Sequence, residues 1–501
     1  MPMRRWWDRA QPVVGAPGAR GLGVGGEEWL QVARDVAASG GALLSLWITL
    51  EDPGTRAPRT DSPSDTAVYC AYLTDHGVLI VELALAPEDE EPRYPGLEEI
   101  FPAASRLQRA AFDLSGVRSS DPDTRPWLNH EKPYEFVRVD GEGVHEIAVG
   151  PVHAGTIEPG HFRFSVVGEK VLRLETRLGY VHKGIERRFC GLPILEGHRL
   201  AARVSGDSAV AFSWAYCQAL EGMGGCAVPR RAVWLRAACL ELERLANHIG
   251  DLGALGNDAG FAFGLAQFSR LKEDLLRAIS AAFGRRYLFD IVVPGGMAVD
   301  LSQETADALA VTVRAVCSEA IELRGIYDEH EGVRDRFTAA GCLETPLAVR
   351  LGVLGLVGRA SGLGRDLRVD VPCPPYTELH VARAVQPGGD VAARVAVRFD
   401  EVRESGRLLM QLLSALPDGE RAVAMDSPAD GAFGVGLVEG WRGPVLVALQ
   451  AGPEGSIRRC HPHDPSWQNW PALEYAIMGN IVPDFPLINK SFNLAYSGVD
   501  L

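Results

Sequence analysis

The sequence predicts an α+β protein: a small N-terminal α/β domain followed by a mainly α-helical domain with flanking β hairpins. Three observations predict it. Short runs rich in aliphatic, aromatic and Thr residues, separated by turn residues, fill Ala42 to Leu85. Long apolar stripes at helical spacing dominate from about Val144 onward. The chain has 501 residues, 47% of them hydrophobic, which suffices to fill the cores of two or three domains.

In order along the chain, a helix over Glu27 to Ala38 meets Gly40 and Gly41 at its C-terminal end. Strands follow over Ala42 to Leu50 and Thr66 to Leu73, and Asp75, His76 and Gly77 turn the chain into a third, Val78 to Leu85. Pro87 to Pro95, acidic and proline-rich, is expected as a solvated loop. A helix covers Ala103 to Leu114, and Ser119 to Pro133 has linker composition. The expected division is therefore 1–130, a linker at 131–143, and 144–501. In the larger part, Leu235, Ala238, Leu242, Leu245 and Ile249 share one helical face, while Arg236, Glu243, Arg244 and Asn247 fall on the other. The pattern recurs from Phe268 to Ala282, ending at Gly284, and from Val395 to Leu413. Hairpin strands are expected at His161 to Val167 with Val171 to Thr176, and a β segment at Val445 to Gln450.

The net charge of −15 argues against nucleic acid as a partner. The longest apolar runs are interrupted by Glu82 and Arg350, short of the ~20 residues of a spanning helix, so no direct membrane span is expected. Arg4 and Arg5 are followed by Pro and Gly rather than an apolar signal core, which reads as cytoplasmic. Nine cysteines (70, 190, 217, 226, 239, 317, 342, 373 and 460) include no CxxC pair, the usual clamp for zinc, iron-sulfur or nickel. Cys217, Cys239 and Cys317 read as small core residues. Cys460, His461 and His463 lie in RCHPHDPSW, whose prolines suggest a rigid exposed loop, and three donors without a fourth are a poor metal site. GLGVGG near residue 21 has the glycines of a dinucleotide loop but neither its spacing nor a preceding strand, and is expected to be flexible. No hydrolase triad or P-loop stands out.

GPVH at Gly150 to His153, HFRF at His161 to Phe164, GYVHKGIE at Gly179 to Glu186, VPRRAVWLRAACLELERLANHIGDLG from Val228, GRASG from Gly358, EGWRG from Glu439, NWPALEYAIMGN from Asn469 and the terminal SFNLAYSGVDL are specific. Together they resemble the family joining the large subunit of energy-converting nickel-iron hydrogenases to the quinone-site subunit of respiratory complex I. The resemblance covers 144–501. YPGLEEIFPAASRLQRAAFDLSGV from Tyr94 to Val117 resembles the neighbouring small α/β subunit of complex I. A fusion of the two is the arrangement of formate-hydrogenlyase-type hydrogenases.

In those hydrogenases two CxxC motifs hold nickel and iron through soft thiolates. The matching positions here are Ser205, Ser208, Ala495 and Gly498, so the spacing is kept and each thiolate replaced. The resemblance implies no nickel and no metal site on this chain. With the sequence ending at Leu501, just past the second motif, no C-terminal extension of the kind removed at nickel insertion is expected. A quinone site of the complex I kind would need a tyrosine where Gly206 stands, and its hairpin histidine has no clear match among His153 and His161. By the same resemblance, Glu186 occupies the place of the glutamate that passes protons, and Arg442 that of the arginine beside the iron's diatomic ligands. Glu186, Arg442 and His153 are thus the candidate catalytic residues, in a polar set with His182, Arg203, Ser205, Asp207, Ser208 and Asp500. The alternative is a relic in which Glu186 and Asp207 pair with Arg203 and Arg442. The implied function is that of an oxidoreductase subunit of a membrane-attached complex, with no cofactor of its own. Its implied partners are a small subunit carrying an iron-sulfur cluster and antiporter-like membrane subunits, which would hold it on the inner face of the cell membrane. A non-catalytic positioning subunit is the second reading. A third is the plain family label, NADH:quinone reductase or formate hydrogenlyase subunit.

Overall fold

In the computed structural model, residues 2–50, 66–85, 92–153 and 157–501 are described. Most of the Pro87 to Pro95 segment lies outside them, but Arg93 and Tyr94 form a short strand and Tyr94 is buried.

The N-terminal region opens with a helix that periodicity over so few residues does not reveal, α1 (Pro2–Arg9), and continues through β1 (Gln11–Pro12) and β2 (Ala19–Val24). Then come α2 (Gly26–Ala38), β3 (Ala42–Thr49), β4 (Ala67–Thr74), β5 (Gly77–Ala84), β6 (Arg93–Tyr94), α3 (Ala104–Ser115) and β7 (Arg118–Ser119). Glu27 and Glu28 in the first turn of α2 favour its positive end. Five strands form one sheet in the order β1-β2-β5-β4-β3, in which β2 runs parallel to β5 and the other pairs are antiparallel. The GLGV segment expected to be flexible is therefore the body of β2; it pairs along its whole length with β5, and backbone pairing overrides the weak strand propensity of glycine.

Alternation places Val68, Cys70 and Tyr72 on one face of this sheet and Ala71 and Leu73 on the other. Both faces are covered. The second packs with Leu44, Trp47 and Ile80 against Val435, Leu437, Leu446 and Ala448 of the larger region. A register shift between Leu43 and Ser45 in β3 moves the alternation by one residue. The expected linker over Ser119 to Pro133 is not solvated throughout, because Trp127 and Leu128 are buried and their amides donate to Asp113.

The larger region begins with an antiparallel sheet of β8 (Val144–Val149), β9 (His161–Val167) and β10 (Lys170–Arg177). After it come α4 (Ile185–Phe189), α5 (His198–Ala201), α6 (Ala209–Met223), α7 (Arg230–Asp258) and α8 (Ala262–Phe283), whose C-cap is the left-handed Gly284. A two-stranded pair, β11 (Val292–Val293) and β12 (Gly296–Met297), precedes α9 (Gln303–Glu329) and the short α10 (Glu331–Phe337), α11 (Thr345–Leu351), α12 (Gly355–Ala360) and α13 (Leu367–Asp370). The long α14 (Val391–Ser414) packs on α7 and α9, and its N-cap Asp390 accepts from the Ala393 amide at 2.8 Å. A second antiparallel sheet, β13 (Phe433–Glu439), β14 (Pro444–Ala451) and β15 (Ile457–His463), leads to α15 (Ser466–Ala476) and α16 (Phe485–Phe492).

One sequence reading changes here. RCHPHDPSW is not an exposed loop: Cys460 to His463 are strand residues paired with β14, and all are buried. Pro462 is accommodated because β15 is an edge strand. On the polar side of α7, Arg236 and Arg244 are at most 1% exposed, while Glu243 and Asn247 are half-buried.

Candidate functional site

The turn at Arg203 to Ser208 leads into α6, with Ser208 as its N-cap residue. The EGWRG turn between β13 and β14 faces it. That turn is closed by hydrogen bonds between Gly440 and Gly443, and it sits hard against the start of α12: a Cβ on Gly355 (φ +57°) would lie 1.8 Å from the Arg442 carbonyl oxygen. Trp441 and Arg442 therefore project toward residues 205–208. The Trp441 indole and the Asn247 amide both donate to the Asp207 carbonyl oxygen, at 3.0 and 2.8 Å.

Arg442 grips Asp207 with two parallel bonds, Nη1 to Oδ1 at 2.7 Å and Nη2 to Oδ2 at 2.6 Å. Its Nε donates to the Asn493 carbonyl at 2.6 Å, and its guanidinium carbon lies 4.0 Å from the centroid of the Trp441 ring. Ser205 Oγ donates to Asp207 Oδ1 at 2.9 Å. Burial pushes the Asp207 carboxyl up, but Arg442 and Ser205 outweigh it and hold the group below the usual carboxylate range. The Asp207 side chain keeps 38% of its surface free, and it lines a cavity of about 500 Å³ between α7, α8, α16 and the loop at 286–289. Glu243 and Asn247 line the same space. Glu243 accepts from the Val210 and Ala211 amides at 2.8 and 3.3 Å, yet burial dominates and its carboxyl is pushed up to about 8.

The four positions that the resemblance assigns to hydrogenase thiolates carry Ser205, Ser208, Ala495 and Gly498. Ser205 is committed to Asp207. The amide of Ala495 donates to Ser466 Oγ at 2.9 Å and its carbonyl accepts from Trp470 at 3.1 Å. At Gly498 the space belongs to Asp464, whose Cβ, Cγ and Oδ2 would each lie 2.9 Å from a Cβ placed there. Asp464 is 1% exposed; its Oδ1 accepts from the Ser466 amide at 2.8 Å and its Oδ2 has no hydrogen-bond partner among the described residues. Burial raises its carboxyl, and Arg442 offsets only part of that. Hard oxygen donors in place of thiolates, with one position filled by a neighbour's side chain, do not fit a nickel-iron centre. A quinone site of the complex I kind does not fit Gly206, which offers no hydroxyl to the cavity.

The polar set expected from sequence is only partly assembled. Asp207, Ser205, Ser208 and Arg442 come together. Glu186 does not join them: it makes an ion pair with Arg459 and a hydrogen bond with His461 Nδ1, the latter at 2.6 Å. Burial raises the Glu186 carboxyl, but the Arg459 guanidinium and the hydrogen bond from His461 more than offset this and bring it to about 2. His461 Nε2 lies 2.8 Å from Ser45 Oγ of the N-terminal sheet, and Trp47 stacks on the imidazole. This group borders a second cavity of about 20 Å³, room for one water, between β3, α3 and the C-terminal Leu501. Arg203 pairs not with a site carboxylate but with Asp290, at 2.6 and 2.8 Å. His153 stays on the hairpin, donating to the Gly160 carbonyl at 2.8 Å. His182 donates to the Asp500 carbonyl at 2.7 Å, while the Asp500 carboxylate accepts from the Gly179 and Val181 amides at 2.8 and 3.0 Å and fastens the C-terminal segment. Sequence reading missed Asp464, Glu243 and Arg459. Only Gly498 hinted at Asp464, by vacating the volume that the carboxylate fills.

Comparison with known proteins places this geometry. Residues 23–140 match the family described as respiratory-chain NADH dehydrogenase, 30 Kd subunit, and residues 258–433 the one described as its 49 Kd subunit. Formate hydrogenlyase subunit 5 of Escherichia coli (strain K12) is 29% identical over 87% of this chain and 82% of its own length. The carbon monoxide-induced hydrogenase of Rhodospirillum rubrum is 30% identical over 69% of this chain and 96% of its own length. A chain from the membrane-bound sulfane sulfur reductase, an archaeal respiratory membrane complex, shares the fold with a TM-score of 0.67 at 22% identity, covering 72% of this chain and 99% of that one. The chain belongs to the family of the 49 kDa subunit of respiratory NADH dehydrogenase and its hydrogenase relatives, with a 30 kDa-subunit-like domain fused at its N-terminal end.

Proposed function

We propose that this chain is an oxidoreductase subunit of a membrane-attached electron-transfer complex from which hydrogen activation has been lost. The observation that carries the reading is Asp464 in the volume of the fourth thiolate, opposite a serine committed to Asp207. In this reading the chain carries no metal or redox cofactor. An iron-sulfur cluster is held by a small partner subunit, and antiporter-like membrane subunits hold the assembly on the cytoplasmic face. No helix among the described residues is long and apolar enough to cross a membrane, so attachment would run through partners.

This chain's own residues would handle protons. Arg442 keeps Asp207 ionised at the cavity wall, while Glu243 on the same wall holds its proton near neutral pH. Glu186, His461 and Ser45 form a second hydrogen-bonded line that joins the large region to the N-terminal sheet. A positioning role without catalysis is the second reading, favoured by the mutual neutralisation of Asp207 and Arg442.

The test is affinity purification of the full chain from its native membranes, with protein mass spectrometry and metal analysis. Expected are a cluster-bearing small subunit, membrane-spanning subunits, and iron without stoichiometric nickel. Stoichiometric nickel, or a chain recovered alone and without iron, would overturn the reading. Glu186→Gln separates the two roles: reduced turnover of the complex at an unchanged melting temperature supports a relay, and unchanged turnover supports positioning.

A further inference from the structure

The protein's net charge is −15, yet one of its exposed faces is positive. That face is built on α4 and the turns beside it. Ile185, Glu186 and Phe189 turn inward where α4 packs on β15, which leaves Arg187 and Arg188 facing solvent. Arg188 Nε donates to the Lys183 carbonyl at 2.7 Å, and Lys183 Nζ donates to the Arg203 carbonyl at 3.3 Å, so the turn after α5 joins the same surface. Arg203 Nη1 donates to the Arg199 carbonyl at 2.5 Å, and Asp290, which Arg203 holds, also lies in the field of Arg285. Lys183, Arg187, Arg188, Arg199, Arg203 and Arg285 are thus one contiguous set of exposed cations. The carboxylates around them are already engaged. Arg199 pairs with Glu196 at 3.3 Å and Arg203 with Asp290 at 2.6 Å, while beneath the face Glu186 is matched by Arg459. The Asp500 carboxylate is buried and turned to the Gly179 and Val181 amides, Arg458 is cancelled by Asp430 at 2.8 Å, and Arg286 by Glu273 at 2.7 Å. Lys183, Arg187, Arg188 and Arg285 have no ion pair among the described residues. Counting Glu454, on the turn beside Ile194, against them still leaves positive charge in excess.

We propose that this face docks an acidic segment of a partner protein, a run of Asp and Glu side chains. All of the cations but Lys183 are arginines, whose planar forks hold carboxylates through two parallel bonds. The extent of the face decides between partners. Surface charges act over about 8 Å at physiological salt, so a ligand feels only the charges it lies against. A narrow acidic segment lies on the cations alone. A bilayer or a nucleic-acid duplex is wider and would also meet the surrounding surface, which is more negative still once this face is set aside. The inference rests on the face itself and stands apart from the electron-transfer reading.

The experiment follows the fluorescence anisotropy of a short fluorescein-labelled poly-L-glutamate added to the full chain, and in parallel the co-sedimentation of the chain with phosphatidylglycerol vesicles. Saturable binding of the peptide that weakens as salt is raised is expected. The affinity should fall by about tenfold or more in Lys183→Gln with Arg187→Gln and Arg188→Gln, equivalent to about 1.4 kcal/mol, at an unchanged melting temperature. It should be kept in Arg34→Gln with Arg350→Gln, which removes exposed arginines elsewhere. Absence of saturable peptide binding, or equal loss in the two sets of variants, would overturn the proposal. Vesicle binding that the three substitutions abolish, without peptide binding, would assign the face to a membrane instead. In the chain purified with its native partners, a carbodiimide, which joins a carboxylate to a lysine amine without a spacer, should link Lys183 to an Asp or Glu of another polypeptide. Partners recovered with Lys183 unlinked would overturn the proposal as well. Recovery of the chain alone and without iron would sink the electron-transfer reading, and the peptide titration would still decide the docking face.

Discussion

Two sets of charges meet at the EGWRG turn, and they are built differently. Glu439, at its start, belongs to a sealed network. Arg359 reaches Glu439 at 2.8 Å and Glu401 at 2.6 Å, His248 reaches Glu401 at 2.6 Å, and Arg368 joins Asp366 to Glu241. Tyr376 and Ser405 donate to Glu241 as well, at 2.7 and 2.6 Å, and no charged member of the network is more than 4% exposed. Arg442, three residues further on, pairs with a carboxylate that faces 500 Å³ of open space. Both sets consist of arginines and carboxylates. What differs is access, so burial with mutual ion pairing marks the first as framework, and pairing beside a cavity marks the second as a site.

The sharpest way to break that comparison is to remove one member of the sealed network. Arg359→Met leaves Glu401 and Glu439 short of a cation in an interior that cannot solvate them, and is expected to cost about 3–5 kcal/mol of unfolding free energy in a urea titration. A loss below 1 kcal/mol would mean that the network is wetter than its exposures indicate. Next in size is a pH effect at the cavity. Glu243 loses its proton near 4.5 in the unfolded chain but near 8 in the folded one, so its contribution to stability falls as pH rises through that window. Glu243→Gln, which can still accept from the Val210 and Ala211 amides, should remove that fall and gain up to about 4 kcal/mol on the parent at pH 8 but nothing at pH 4. Parallel stability curves for parent and variant would show that Glu243 titrates normally.

Gly498→Cys tests the closed thiolate position. The new side chain collides with Asp464, and a cost of about 1–3 kcal/mol is expected. Asp464→Ala in the same chain should recover part of it, and strict additivity in the double-mutant cycle would deny the contact. The smallest effect is expected at the open pair. Arg442→Lys keeps the charge but loses the second bond to Asp207, the bond to the Asn493 carbonyl and the stack on Trp441; a change of about 1 kcal/mol is expected, because Asp207 can be solvated from the cavity. A cost equal to that of Arg359→Met would erase the distinction between the two regions.

Much of the framework was legible in the sequence. The helices at 26–38, 104–115, 262–283 and 391–414 follow their apolar stripes to within a residue or a few at most ends, since periods of 3.6 and 2 are properties of neighbouring residues. The strand at Ala19–Val24 was not legible, because its stability comes from pairing with Gly77–Ala84 rather than from its glycines. The strand at Ile457–His463 was hidden by prolines that are tolerable only at a sheet edge, and edge position is a property of the whole sheet. Of the candidate site, Asp207, Arg442, Ser205 and Ser208 were named together and found together. Glu186 and His153 were named with them and found elsewhere.

By itself the sequence determined which atoms are available: serines at 205 and 208, alanine at 495, glycine at 498 and 206, and an arginine in EGWRG. Those are covalent facts, and no packing can restore a sulfur. The tertiary structure alone decided how charges are partnered, because the partners lie far apart along the chain. Asp207 and Arg442 are 235 residues apart, and Glu186 and His461 are 275 apart. A carboxylate's environment is set by whatever the fold brings within a few ångströms, and desolvation there exceeds any preference encoded next to it in sequence. For that reason Asp464 could lie against Gly498 in a buried place, and the arginines of an apparently polar helix face could be buried.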